Sequence, residues 1–584
     1  MNIFSVFSLL GGLAFFLYGM RIMGNGLEKM AGGKLERILE GLTANKIMGV
    51  LLGMGVTAVI QSSSATTVMV VGFVNSGIMR LSQAIGVIMG ANIGTTVTSW
   101  ILSLTGISGD GFLVNLLKPS NFSPILAVIG IILLMFTKSS KKQDTGSILV
   151  GFAILMTGMS IMSDAVKPLA DMPEFGKFLL LFSNPVFGVL AGAVLTAVIQ
   201  SSSASVGILQ ALSATGSITF GAAIPIILGQ NIGTCITAMI SCVGTKTNAK
   251  RAAFVHLYFN IIGTVFFLVL FYVLNAIIHF KFMNNAVDEL SIAVVHTLFN
   301  LVTTSALLPF TKQLEKLAKL TVRDDKETGN EFALLDERFL QSPSFAVERC
   351  TILTERMAEL AKNTIITALS IIGKYDQTKA DEVAENENKI DQYEDRIGDY
   401  LVKVASRDLS GDDSETVTLL LQSIGDFERI SDHAVNVCES ALELFEKNKQ
   451  FSDSAVKELQ TVCDAVSEIV DMAVMAFVKR DIDAAKSVEP LEEVVDELCS
   501  ELRSRHIARL QQGDCTIETG FVYTDLLTGI ERVSDHCSNI AISIIQYDGD
   551  DGVSHEFAHE IKLRGKLYKS RYGEFKSKYA LPKE

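Results

Sequence analysis

Residues 57–65 read TAVIQSSSA, and residues 196–204 read TAVIQSSSA again. The same 139-residue offset carries Gly90-Ala91-Asn92-Ile93-Gly94-Thr95 onto Gly229-Gln230-Asn231-Ile232-Gly233-Thr234, and Gly19-Met20 onto Gly158-Met159. A glutamine and three serines between apolar arms are costly in lipid unless they face partners or a bound solute. A polar interruption repeated in two hydrophobic halves is the sequence mark of a transporter's central binding site.

The chain has two unlike parts. Residues 1–310 carry 16 Lys/Arg against 10 Asp/Glu, while the remainder carries 34 against 54. The first part reads as membrane, the second as an acidic, soluble, helical domain. The eight cysteines form no CxxC pair and no metal-type spacing, which fits reduced thiols facing a reducing cytoplasm. The N-terminal apolar run has no basic leader or small-residue cleavage site and is expected to be a retained first span.

Full-length apolar runs fall near 3–23, 82–104, 122–137, 147–166, 221–243, 252–280 and 289–310. The first QSSS segment differs: its arms, 47–60 and 65–79, hold 14 and 15 residues. Such an arm covers roughly 21 Å of a hydrocarbon core of about 30 Å. Both QSSS segments are therefore expected to be re-entrant, entering the bilayer, breaking at the serines and returning. Basic residues test the topology. Lys29, Lys34, Arg37 and Lys46 form one group, and Lys138, Lys141 and Lys142 a second. Lys246, Lys250 and Arg251 form a third, and Lys312, Lys316, Lys319 and Arg323 a fourth. All four land on the cytoplasmic side only if both segments are re-entrant. Each repeat then has three full spans, so the second copy is inverted. The last span, 289–310, falls outside this duplication.

No charged side chain occurs at 47–79, 81–109 or 178–245. The first copy offers Gln61, Ser62, Ser63, Ser64, Thr66, Asn92, Thr95 and Thr96; the second offers Gln200, Ser201, Ser202, Ser203, Ser205, Asn231 and Thr234. Broken helix ends expose backbone N–H groups that suit oxyanions. Carbonyl and hydroxyl oxygens suit a hard monovalent cation. A dianion such as hydrogen phosphate meets no Arg or Lys here, so accompanying cations must neutralise it, and sodium coupling follows. Proton coupling fits less well because these segments hold no carboxylate. His256 and His296 read as satisfied core imidazoles. Close helix packing accounts for Gly53, Gly55 and Gly72 but not for buried hydroxyls where Ala would serve.

The paired QSSS motifs, each followed by NIGT, resemble the type II sodium–phosphate cotransporter family over about residues 1–310. The resemblance implies substrate and sodium sites at Gln61 to Ser64 and Gln200 to Ser203, with Asn92, Thr95, Asn231 and Thr234 beside them. The copies differ where Thr66 faces Ser205 and Thr96 faces Cys235, so their ligand sets need not match.

From about 346 to 546, apolar residues recur at three- and four-residue spacing. Glu428-Arg429-Ile430-Ser431-Asp432-His433 returns as Glu531-Arg532-Val533-Ser534-Asp535-His536. Glu387/Asp391 and Glu492/Asp496 repeat the same ExxxD spacing. Carboxylates at i and i+4 share a helix face and repel, which a divalent cation would relieve; a solvated acidic face is the plainer reading of any one pair. This block resembles the PhoU-like phosphate-regulatory family, which implies two tandem three-helix bundles whose ExxxD motifs hold metal. The tail, with Lys562, Arg564, Lys566, Lys569, Arg571, Lys576 and Lys578, reads as solvated, membrane-associated or self-docking.

The expectation is an all-α chain: a polytopic membrane domain of two inverted repeats with re-entrant QSSS hairpins, then a cytoplasmic helical-bundle domain of two three-helix repeats. The boundaries are a transport domain at 1–310 (repeats about 3–137 and 147–280), a linker at 311–345, a PhoU-like domain at 346–546 and a basic tail at 547–584. The expected activity is sodium-coupled transport of inorganic phosphate across the cytoplasmic membrane by alternating access. A phosphate exporter using the same site and a non-transporting phosphate or metal sensor are the alternatives. No nucleophile triad, P-loop or HExxH site points to an enzyme. The implied partners are phosphate, sodium and lipid, with no nucleic acid; a homo-oligomer is compatible with the sequence.

Overall fold

Each apolar run becomes a helix. The structure, a computed structural model, describes residues 3–31, 45–107, 116, 118–323, 331–513, 515–547 and 566–582; Lys34, Arg37, 324–330, Lys562 and Arg564 lie outside them. It divides into two compact units, Met1–Phe345 and Ala346–Glu584. Among the described residues no strand forms, and the one isolated bridge joins Thr219 to Ala286.

The first unit contains α1 (Ile3–Ala31), α2 (Lys46–Ile60), α3 (Ser63–Ser76), α4 (Leu81–Ser103), α5 (Pro119–Phe136) and α6 (Ser140–Val166). It continues with α7 (Pro185–Ile199), α8 (Ser202–Ser213), α9 (Phe220–Ser241), α10 (Thr247–Ile278), α11 (Glu289–Leu307) and α12 (Thr311–Thr321). Among the described residues, seven helical segments are long and apolar enough to cross a membrane, and α2 and α7 are shorter apolar helices. Outward faces are apolar, as lipid requires: on α7, Phe187, Leu190, Val194 and Val198 are all exposed.

The duplication extends to caps and packing. Asn45 and Asn184, equivalent under the 139-residue offset, each cap a helix by accepting a hydrogen bond from the backbone two residues on, at 3.0 Å. A Cβ on Gly90 would lie 2.0 Å from the Val50 carbonyl, and one on Gly229 would lie 2.0 Å from the Val189 carbonyl. Only hydrogen fits there, so α4 closes on α2 as α9 closes on α7. Helices α1 and α6 cross antiparallel through reciprocal positions. Gly12 meets Gly158 while Gly151 meets Gly19, and Gly19 meets Leu155 while Gly158 meets Phe16. Each contact is its partner's image under the same offset.

The connection after the last span is seated rather than free. Phe339 and Phe345 are fully buried, with ring centroids 5.6 Å and 4.9 Å from that of Phe73 on α3. Asn75 donates to Asp336 at 2.7 Å and accepts from the Lys246 backbone at 2.8 Å.

The second unit holds α13 (Pro343–Leu369), α14 (Gln377–Ala405), α15 (Gly411–Glu446), α16 (Asp453–Lys479), α17 (Ile482–Gln512), α18 (Ile517–Tyr547) and α19 (Lys566–Lys578). Helix α15 packs along α18, and α17 along α16 and α18. The tail helix α19 docks on its own domain. Tyr572 donates to Glu497 at 2.6 Å, Lys576 bridges Glu497 at 2.8 Å, and Lys578 bridges Glu468 at 2.8 Å. Of the three readings of the tail, self-docking describes its described part.

Candidate phosphate and cation site

Both QSSS segments are helix–break–helix. Helix α2 ends at Gln61, which adopts the left-handed conformation (φ 60°, ψ 22°); α7 ends at Gln200 in the same conformation (φ 57°, ψ 25°). A non-glycine residue in this region costs about 1–2 kcal/mol, so each break must be held by its surroundings. The next serine starts a new helix in each copy. Ser62 Oγ accepts from the Ala65 backbone at 3.1 Å, and Ser201 Oγ from Ala204 at 3.2 Å. The first-turn N–H groups of Ser63 and Ser64, and of Ser202 and Ser203, have no intrahelical acceptor and carry the positive end of each helix dipole.

The two breaks differ in how tightly they are held. In the first, Thr98 Oγ1 donates to Gln61 Oε1 at 2.9 Å, Gln61 Nε2 donates to the Ala58 carbonyl, and Thr57 Oγ1 donates to Thr66 Oγ1 at 3.0 Å. In the second, the equivalent hydroxyls of Thr196 and Ser205 are fully buried without a partner, and Gln200 is exposed. Thr237, the counterpart of Thr98, instead donates to the Thr234 carbonyl on its own helix at 2.9 Å.

The NIGT residues lie on α4 and α9, against the breaks. Gly94 closes on the Thr57 side chain and Gly233 on that of Thr196. Asn92 donates to the Ile88 carbonyl at 3.2 Å and Asn231 to the Ile227 carbonyl at 2.9 Å, each within its own helix. Thr95 and Thr234 donate to Ala91 and Gln230. The post-break helices also cross between copies, with α3 touching α9 and α8 touching α4. Sequence reasoning missed Thr98 and Thr57, whose roles depend on contacts between helices. His296 is anchored as expected, its Nδ1 2.8 Å from Ser99 Oγ, but buried His256 Nδ1 has no partner.

Charged groups gather outside these breaks. A cavity of about 360 Å³ is lined by Arg80, Lys246, Lys319, Asn75 and Glu315, where α4 and α10 begin.

In the second unit, Glu387, Asp391 and Asp432 bring one oxygen each within 4.8 Å of one another, as do Glu492, Asp496 and Asp535. Burial, then neighbouring Asp391 and Asp432, raises the Glu387 carboxyl, and burial raises Asp535. Clustered acids that resist ionising fit a cation. Glu428 and Glu531 share the spacing but fall outside these triads. Burial and Asp432 push Glu428 up to about 7, while Glu531 accepts from Arg503. Arg429 and Arg532 reach Asp432 and Asp535 at 3.3 and 3.7 Å.

With this geometry in view, the comparisons identify the class. The Na+/Pi-cotransporter profile matches residues 15–164 and again 156–291, and the PhoU domain profile matches 354–441 and 459–544. The chain belongs to the Na+/Pi-cotransporter family and carries a PhoU domain. Among its relatives, "Putative inorganic phosphate export protein YjbB" of Escherichia coli O157:H7 is 25% identical over 94% of this chain and 99% of its own length. "Uncharacterized protein YqeW" of Bacillus subtilis is 32% identical over 53% of this chain and 96% of its own. "Sodium-dependent phosphate transport protein 2A" of Rattus norvegicus is 36% identical over 16% of this chain and 15% of its own. The family and the seven apolar helical segments make this a multi-pass membrane protein of a phosphate-transporter family.

Proposed function

We propose that the chain carries inorganic phosphate across the cytoplasmic membrane, coupled to sodium, by alternating access between two inverted repeats. The observation that carries the reading is the paired break: two left-handed glutamines, each followed by a serine-capped helix start, in a region without charge. The reciprocal antiparallel crossing of α1 and α6 supports inversion, because a two-fold axis in the membrane plane exchanges such positions. Re-entrant hairpins are supported by the 15 residues of α2 and of α7, too short to span.

In this reading Gln61, Ser62, Ser63, Ser64, Thr66, Asn92 and Thr95 line one half of the site. Gln200, Ser201, Ser202, Ser203, Ser205, Asn231 and Thr234 line the other. Helix-start N–H groups receive the phosphate oxygens, and side-chain oxygens receive sodium, whose charge offsets the dianion. The PhoU domain lies in the cytoplasm, and Glu387, Asp391 and Asp432 with Glu492, Asp496 and Asp535 hold divalent metal there. A second reading, export through the same site, is favoured by the name of the YjbB relative, which matches 94% of this chain.

Labelled phosphate flux in proteoliposomes, with the sodium gradient directed inward, outward or absent, tests these readings. Flux that follows the gradient and is lost in Ser203→Ala and Gln200→Ala is expected. Flux indifferent to sodium removes the coupling, and wild-type flux in both variants removes the site.

A further inference from the structure

A second duplication runs through the last two spans. Val255-His256-x-x-Phe259-Asn260-x-x-x-Thr264 on α10 returns 40 residues later as Val295-His296-x-x-Phe299-Asn300-x-x-x-Thr304 on α11. Four-residue spacing puts His, Asn and Thr on one face of each helix. All six side chains are buried, Asn260 and Asn300 completely. The two helices meet where a Cβ on Gly263 would lie 2.2 Å from the methyl of Thr303, and those positions are each other's equivalents at this offset.

Neighbouring helices fix what these ladders face. Thr264 Oγ1 donates to Leu228 at 3.5 Å, and Cys235 Sγ donates to the His256 carbonyl at 3.5 Å. Helix α10 therefore runs antiparallel to α9 with Asn260 level with Asn231. Ser99 meets His296, and Gly106 closes on Glu289, so α11 runs antiparallel to α4 with Thr303 and Thr304 level with Asn92. Each NIGT segment thus has an Asn–Thr ladder alongside it. Helix α11, set outside the duplication by sequence, stands to α4 as α10 stands to α9.

The unsatisfied atoms on these ladders are mostly oxygens. Asn260 Oδ1, Asn300 Oδ1, Thr303 Oγ1 and Thr304 Oγ1 are buried without a hydrogen-bond partner. The amide nitrogens are already committed: Asn260 Nδ2 to the His256 carbonyl at 3.0 Å and to Cys235 Sγ at 3.3 Å, and Asn300 Nδ2 to the His296 carbonyl at 2.9 Å. Turning either amide over would set oxygen against oxygen. Neutral amide oxygens in a dry interior suit a hard monovalent cation and repel an oxyanion, and threonine oxygens can join them in ligating the cation.

We propose that Asn300, Thr303 and Thr304 beside Asn92, and Asn260 beside Asn231, are cation-binding elements that ligate sodium. The proposal deepens the transport reading and rests on its placement of the site, but its test reads binding rather than flux.

The full chain in detergent is unfolded thermally while sodium chloride replaces choline chloride at constant ionic strength. Sodium raises the wild-type midpoint. The sodium concentration giving half the rise increases about tenfold in Asn300→Ala, Asn260→Ala and Thr304→Val, and stays near wild type in Thr304→Ser. Thr304→Val keeps the side-chain shape, so it separates lost ligation from lost packing. Stabilisation by inorganic phosphate at saturating sodium persists in the same variants. Equal stabilisation by choline and sodium, or unchanged sodium curves in Thr304→Val and Asn300→Ala, overturns the proposal and assigns these oxygens to buried water. A chain that bound sodium here yet moved no phosphate would sink the transport reading alone.

Discussion

Replacing Thr98 with Val removes one buried hydroxyl and keeps the β-branched shape. That hydroxyl donates to Gln61 Oε1 at 2.9 Å, with both side chains buried. Leaving a buried acceptor unpaired costs about 1–3 kcal/mol, which is a loss of roughly 5- to 150-fold in an equilibrium that depends on Gln61 staying oriented. The second copy supplies the control: Thr237 donates within its own helix at 2.9 Å and does not reach Gln200. Thr237→Val should therefore change the apparent affinity by less than about threefold. The assay is sodium-driven uptake of labelled phosphate into proteoliposomes, reporting half-saturating phosphate and sodium for both variants. Thr98→Ser should recover most of the loss. Equal effects of Thr98→Val and Thr237→Val, or no effect of either, would refute the asymmetry between the two breaks.

Gly229→Ala puts a methyl 2.0 Å from the Val189 carbonyl, whereas Gly55, expected from sequence to be a packing glycine, has open space where a Cβ would stand; Gly229→Ala should destabilise the protein by about 1–3 kcal/mol and Gly55→Ala should not, read as thermal unfolding midpoints in detergent. The Glu428 carboxyl, raised by burial and Asp432 to about 7, binds its proton more tightly folded than unfolded. Its contribution favours the folded domain at low pH and is lost as pH rises from about 4.5 through 7, so the chelator-treated full chain should unfold at lower temperature near pH 8 than near pH 5.5. Divalent metal should reverse that loss in wild type and not in Asp432→Asn with Asp535→Asn, with metal content from elemental analysis as the parallel readout.

Much of this architecture is legible because duplication is legible. The 139-residue offset finds both breaks and both NIGT segments, and the structure extends it to the asparagine caps and to the glycines that admit close approach. The all-α class follows from the apolar runs, and the PhoU-like repeat from the ERxSDH blocks. What escaped depends on helix register. Thr98 reaches Gln61 only once α4 is rotated against α2 by the Gly90 contact, and no local pattern announces that. The ladder on α10 and α11 repeats at 40 residues, so a search for the 139-residue offset passes over it, and each copy reads as an ordinary span. Residues 311–345 read as a polar linker, yet within it Phe339 and Phe345 are fully buried. ExxxD spacing fixes which carboxylates neighbour one another on a helix but not which helix faces another. That is why Asp432 and Asp535 join the triads while Glu531 turns to Arg503.

The seat of Phe339 has a mechanical consequence. Its ring fills the notch left by Gly72, 2.6 Å from where a Cβ would stand, two turns beyond the first serine trio. The segment leading to Ala346 is therefore tethered to the helix that starts at the first serine trio. A displacement of residues 336–345 is delivered straight to α3, through two rings and the Asn75–Asp336 hydrogen bond.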